Sequence, residues 1–262
     1  MSVQVLKAMA DGPATFTTLI SAFTTFLTVA IHTILYERSI YPRTSFLSAR
    51  KYNYAVRQSR HPKVCQWIAD AVAAVESELL KGTVGRVAVV IFDQSEKPLE
   101  RFMFDCSRLP VVPAGEWDTP LVRESKNGER TDILPLVDLE EQLRAAMAKL
   151  TVCGTLLRPV PENCSFTVAI ELKDEGDAPI GHPQPWVPVS PGLQKSVDKD
   201  AERRSRTGED VGGVKTTPLR NVEAGEMMFE MWIEEGKAKM RGPEKNRNVV
   251  ELGEGWRSSA SS

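Results

Sequence analysis

The sequence predicts an α+β fold in a single domain, and three observations carry that prediction. Three segments space their apolar residues at i, i+3, i+4 and i+7, the period of a helix packed along one side. Between the second and third lie two runs rich in Val, Ile and Phe, joined by a polar Gln94–Lys97 turn in the manner of a β-hairpin. Three more strand-like runs follow the third helix, at Cys164–Leu172, Val214–Arg220 and Met227–Ile233. A chain of 262 residues with 42% hydrophobic content buries one sizeable core without needing a second domain.

The first helix places Phe16, Leu19, Ile20, Phe23, Phe26, Leu27, Ala30, Ile31 and Ile34 on one side and Thr17, Ser21, Thr24, Thr28 and His32 on the other. Gly12 to Tyr36 holds no charged residue and approaches the length of a membrane span. The two-sided pattern, with an uncharged polar side, favours instead a core helix in the middle of the domain, one stripe meeting a sheet and the other more helix. The leader before it has a single Lys and no convincing cleavage site, so secretion is not expected, and the Asn163-Cys164-Ser165 sequon reads as a chance match. Tyr41-Pro42 ends this region. Ser45–Arg57 reads as a loop with a short strand over Tyr52–Val56, and Pro62 stands where a second helix begins. That helix carries Val64, Trp67, Ile68, Ala71, Val72, Val75 and Leu79 and stops at Lys81-Gly82.

The hairpin occupies Val84–Asp93 and Leu99–Cys106. Ser107–Thr131 is polar and reads as an expanded surface loop. The third helix runs over Leu136–Val152, with Leu136, Leu139, Leu143, Ala146, Met147 and Leu150 on one side. Lys173–Gly213 is dominated by charged, Pro and Gly residues, interrupted only by Trp186 and its Val neighbours; it is too long for an ordinary loop, so it is either functional or disordered. From Gly236 the composition is that of a solvated tail.

Charge and motifs narrow the function. Lys and Arg number 33 against 35 Asp and Glu, and this balance supplies no global field toward phosphate, so no direct nucleic-acid contact is expected. Cys65, Cys106, Cys153 and Cys164 are scattered without a CxxC, against a zinc ribbon or disulfide framework and in keeping with a reducing compartment. His32, His61 and His182 show no metal-ligand spacing, and no GxSxG, HExxH, GxGxxG or P-loop is present, so neither catalytic residues nor a metal nor a cofactor is expected. Ser196-Val197-Asp198-Lys199 matches SxxK without its companion motifs. Arg203-Arg204-Ser205-Arg206 is a nuclear signal, a phosphate contact or simply a solvated run.

The order of several sequence words resembles the HORMA domain. They are FLTVAIHTILYERSIYPRTSFLSARKYNYAVRQSRHP over Phe26–Pro62; VAVVIFDQSEKPLERFMFD, LEEQLRAAMAKLTVC and CSFTV; and PWVPV, TTPLR and MFEMWIEE. Collinearity over Phe16–Glu235 carries the resemblance, which within the superfamily is nearest the accessory, non-catalytic subunits of translesion DNA polymerase zeta. An insertion after Asp105, an enlarged stretch between Val189 and Val214, and the tail depart from the family pattern. The resemblance implies an antiparallel sheet backed by three helices, with a C-terminal safety belt that straps a partner peptide against the sheet edge. Residues 1–13 would be a flexible leader and 14–235 the domain, its belt at about 186–235 with a polar insert at about 190–213. Residues 236–262 would be a disordered tail.

The same resemblance implies a non-catalytic nuclear adaptor in translesion synthesis and DNA damage tolerance, found also in the cytoplasm. Its implied partners are a peptide of the polymerase zeta catalytic subunit, the C-terminal domain of a second translesion polymerase, a second HORMA domain and an AAA+ remodeller, with no membrane. A spindle-checkpoint HORMA adaptor is the alternative, and an enzyme built from scattered residues a third. By carry-over, Tyr41, Trp67 and Trp186 line the peptide pocket. Trp67 stands where animal relatives have Tyr, and its periodicity fits the core stripe of its helix equally well. Trp186, flanked by prolines in a hydrophilic segment, has little local core to join and favours an interface. Alternation in the last strand turns Phe229, Met231 and Ile233 inward and Met228, Glu230 and Trp232 outward. The resemblance places the second-partner surface on these outward positions with Thr216, which departs from a larger apolar residue. Arg144 matches a dimer contact, or else is a surface partner of Glu140.

Overall fold

The computed structural model describes residues 14–124, 130–132, 134–174, 186 and 213–240. Helix α1, Phe16–Glu37, starts on a capping box: the Thr15 hydroxyl accepts from Thr18 N at 3.2 Å while Thr18 Oγ1 accepts from Thr15 N at 2.8 Å. It is long and apolar enough to cross a bilayer, yet most of it is buried inside the protein. Its uncharged polar stripe, expected to meet more helix, is partly covered. Thr24 and His32 are buried, His32 beneath Ser59, whose N–H reaches His32 Nδ1 at 3.4 Å.

Strands β1, Phe46–Lys51, and β2, Tyr54–Ser59, form a small hairpin. The expected strand over Tyr52–Val56 is corrected at its start: Tyr52 and Asn53 have φ of 51° and 52° and make the two-residue turn. Such a turn normally selects Gly or Asn. Here Tyr52 is held by packing, 3% exposed with its ring 6.4 Å from that of Phe26, while Arg144 Nε donates to its carbonyl at 3.1 Å.

Helix α2, Pro62–Leu80, begins on proline at its first turn. Strands β3, Val84–Phe92, and β4, Pro98–Asp105, form the expected hairpin. Helix α3 spans Leu136–Leu156 and strand β7 Ser165–Leu172. Strands β8, Gly213–Ala224, and β9, Met227–Gly236, follow. One antiparallel sheet results, in the order β7-β3-β4-β9-β8. Its inner face presents Val87, Val89, Phe102, Phe104, Phe229, Met231 and Ile233 to the helices, all buried. The Phe229 ring lies 5.1 Å from Phe23 and 5.4 Å from Phe26, and this aromatic group ties the last hairpin to α1.

Two further expectations are corrected. Residues 107–131 are more than a surface loop: they include a 3₁₀ turn at Ala114–Glu116 and the short pair β5, Val122–Glu124, with β6, Arg130–Asp132. The reason is contact with the start of α1: the Trp117 carbonyl accepts from Thr17 N at 3.1 Å, one of the amides left free in a first turn, and Leu121 N–H donates to the Ala14 carbonyl at 2.9 Å. Residue 236 likewise does not open an unstructured tail. It ends β9, and helix α4, Lys237–Met240, follows because Lys239 is captured by buried carboxylates. The leader 1–13, the insert at 190–212, His182, Ser196–Lys199, Arg203–Arg206 and residues 241–262 lie outside the described residues.

Candidate peptide-binding edge

Consecutive strands β7 and β8 occupy opposite edges of the five-stranded sheet. The chain joining Leu172 to Gly213 therefore links two edges separated by about 19 Å, four inter-strand spacings. Strand β7 pairs with β3 along one side, and no described strand pairs with its other side. Of its eight residues only Val168 is buried. A half-covered edge with unpaired N–H and C=O groups is the feature to which an extended peptide adds.

Three aromatic side chains meet at the start of this edge. Helix α1 ends with Ser39 at φ 54°, its N–H donating to Tyr36 at 3.1 Å and that of Ile40 to Leu35 at 3.0 Å, a double-bonded cap with serine where glycine is usual. That turn delivers Tyr41 to β7, where its ring lies 6.4 Å from Phe166 at 88°. Trp67, presented by the first turns of α2, stands 4.8 Å from the same ring at 74°. Trp67 is 41% exposed, so it is not part of the core stripe that buries Ile68, Val72, Val75 and Leu79. Burial raises the Tyr41 phenol above its ordinary range, keeping it a neutral donor. Tyr41 and Trp67 thus share one neighbour, Phe166, which the sequence pattern alone does not single out. Its signal was an aromatic at the second position of a strand with one covered face. Trp186 is half-buried and packs against the main core.

The other face of the sheet carries a second arrangement. The register aligns Ala169, Ala88, Met103, Trp232 and Pro218 across all five strands. Ala88, Val90 and Met103 form a small buried cluster against which Trp232, Phe92 and Ala169 pack half-exposed. Charge flanks it on both sides: Arg86 pairs with Asp105 and Glu171, each at 3.0 Å, and Arg101 pairs with Glu234. The Trp232 indole N–H donates to Glu234 at 2.9 Å, and the Arg86 guanidinium sits 5.9 Å from its ring. Met228 is half-buried and Glu230 and Thr216 are exposed, with Thr216 opposite Glu234 beside Trp232. Arg144 lies away from both places, half-buried on α3 with its Nε on the Tyr52 carbonyl; the Glu140 partnership is replaced by this backbone contact. Among the described residues no group of three or more His, Cys, Asp or Glu is placed to hold a metal ion.

This topology, with helices on one face and the last hairpin docked on the strand opposite the free edge, has matches among known proteins. The model of the HORMA domain matches residues 20–217. The chain is 33% identical over 216 residues to the DNA polymerase zeta processivity subunit of Schizosaccharomyces pombe, covering 82% of this chain and 92% of that one. It is 35% identical over 149 residues to the human mitotic spindle assembly checkpoint protein MAD2B, covering 57% of this chain and 63% of the relative. Among solved structures, a chain of the mitotic checkpoint complex superimposes with a TM-score of 0.58 at 18% identity, over 83% of this chain and 97% of that one. The chain belongs to the HORMA domain family. Its expected likeness to polymerase zeta accessory subunits is matched by relatives of that name from fission yeast and Arabidopsis thaliana.

Proposed function

We propose that this protein is a non-catalytic adaptor that holds an extended peptide of the DNA polymerase zeta catalytic subunit along the outer edge of β7. The observation that carries the reading is that unpaired edge, bordered by Tyr41, Trp67 and Phe166, with the following chain segment leading to the opposite side of the sheet. A peptide in this place gains backbone hydrogen bonds from β7 and seats apolar or proline side chains on the aromatic group. The belt, about 186–235, straps the peptide in place, and Trp186 closes the pocket. Because the guest leaves only when the belt lifts, release is governed by local opening. The Trp232 face, apolar at the centre and charged at the rim, receives the C-terminal domain of a second translesion polymerase, joining two polymerases for damage bypass in the nucleus. Arg144 supports pairing with a second HORMA domain, and an AAA+ remodeller resets the belt.

Overlapping peptides tiling the catalytic subunit test this. Retention of one proline-containing peptide by the full chain is expected, and retention of none would defeat the reading. A checkpoint adaptor using the same belt is the second reading, favoured by the relatives named as checkpoint proteins. Affinity capture from cells that recovers checkpoint partners and neither polymerase would select it.

A further inference from the structure

Four charged side chains meet where the end of β9 passes the exit of α1. Arg38, Glu100, Glu235 and Lys239 are 5%, 1%, 0% and 8% exposed. Charges so deeply buried persist only when paired and hydrogen-bonded. Arg38 Nε and Nη2 donate to the two Glu100 oxygens at 2.8 and 2.7 Å, and Nη2 also donates to the Arg158 carbonyl at 2.5 Å. Lys239 Nζ donates to Glu100 Oε1 and, at 2.5 Å, to Glu235 Oε2. Lys215 on β8 approaches the remaining Glu235 oxygen at 3.4 Å from the solvent side.

The members divide between a fixed and a separable part. Arg38 stands at the exit of α1 and Glu100 on β4, the two elements against which the last hairpin packs. Glu235 and Lys239 belong to β9 and α4. Between them Gly236 runs hard against β4: a Cβ there would stand 2.6 Å from the Pro98 carbonyl oxygen. That close approach lets the chain turn and aim Lys239 back at Glu100. Helix α4 is a single turn of four residues, too short to form by its own propensity, so the ion pairs order it.

We infer that Lys239 is a positioning residue, a pin that fastens the β8–β9 hairpin to β4 and must withdraw from Glu100 before the belt can lift. The inference rests on the trapping function proposed above and names the contact that sets its release rate. Lifting β9 leaves Glu100 with Arg38 but strips Lys239 of a buried partner, so the pin resists opening without touching the guest.

Hydrogen exchange on the full chain, without peptide, tests the pin. Lys239→Met keeps the apolar stem and removes the charge. Amides of β8 and β9 are expected to exchange at least about tenfold faster, as for loss of one partner from a buried pair, and amides that exchange only by global unfolding accelerate with them, because the same pairing is broken there. Unchanged exchange in the hairpin overturns the inference, and so does acceleration confined to α1 and β3, the mark of a pairing that survives when the hairpin opens. Glu235→Gln combined with Lys239→Met removes one charge of each sign and is expected to restore part of the hairpin protection; no recovery would overturn the ionic origin. Dissociation of the most slowly released tiled peptide is then compared between wild type and Lys239→Met. Faster exchange with unchanged dissociation keeps the pin and removes the trapping reading, whereas acceleration of both supports the two together.

Discussion

Trp67 on α2 and Phe166 on β7 stand edge to face, 4.8 Å between ring centroids, at the end of a strand whose outer side pairs with no described strand. An aromatic pair that is 41% open at its indole has more to gain from a guest than from the core. Trp67→Ala is therefore expected to weaken capture of the catalytic-subunit peptide by about 2 kcal/mol, roughly 30-fold, as for an interface anchor. Its thermal midpoint should hardly move. Titration of labelled peptide beside a melting curve checks this; a large drop in midpoint with unchanged affinity would return Trp67 to the core.

Trp186→Ala separates the belt from the rest of the fold. Trp186 is half-buried on the main core, so some stability is lost, but the principal effect expected is at least about tenfold faster peptide release. Unaltered capture would count against its place in the pocket.

The outer sheet face is independent of the edge. Trp232→Ala removes the half-exposed centre of the Ala88, Val90 and Met103 cluster. Binding of the second polymerase's domain should fall by about 2 kcal/mol while peptide capture stays as in wild type. Two binding titrations on one variant decide it, and loss of both would make Trp232 a structural residue.

His32 gives stability a pH dependence. Burial lowers its pKa from 6.5 to about 4, since the imidazolium would be desolvated. Below pH 6.5 the unfolded chain takes up a proton that the folded chain refuses, so stability falls as pH drops from 6.5 toward 4, by a total of about 3 kcal/mol. Urea midpoints across that range should drop in wild type and flatten in His32→Gln. Parallel slopes in the two proteins would place the dependence elsewhere.

Tyr52 carries a buried hydroxyl with no hydrogen-bond partner among the described residues. Leaving such a group unmade costs about 1–3 kcal/mol, so Tyr52→Phe should be neutral or stabilising by about 1 kcal/mol in urea unfolding. A clear loss of stability would reveal a partner for the hydroxyl.

Much of the fold was legible because periodicity follows from which side is covered. The third helix was expected over Leu136–Val152 and spans Leu136–Leu156, and the inward set Phe229, Met231 and Ile233 is the buried one. The β1–β2 turn was not legible, because Tyr52-Asn53 lacks the glycine that marks such turns and is held by tertiary packing on Phe26. The uncharged polar stripe of α1 was legible as one that meets more helix, and Thr24 and His32 on it are buried. At the site, Tyr41 and Trp67 came from family resemblance. Phe166 and the Arg38, Glu100, Glu235 and Lys239 group were hidden because their members are distant in sequence and each alone reads as an ordinary strand or surface residue.

The most direct test is a crystal structure of the full chain with its retained peptide. The peptide is expected as an added strand on the outer side of β7, opposite β3, with a side chain against Trp67 and Phe166. A peptide bound elsewhere, with the β7 edge covered by the chain's own residues, would contradict the account.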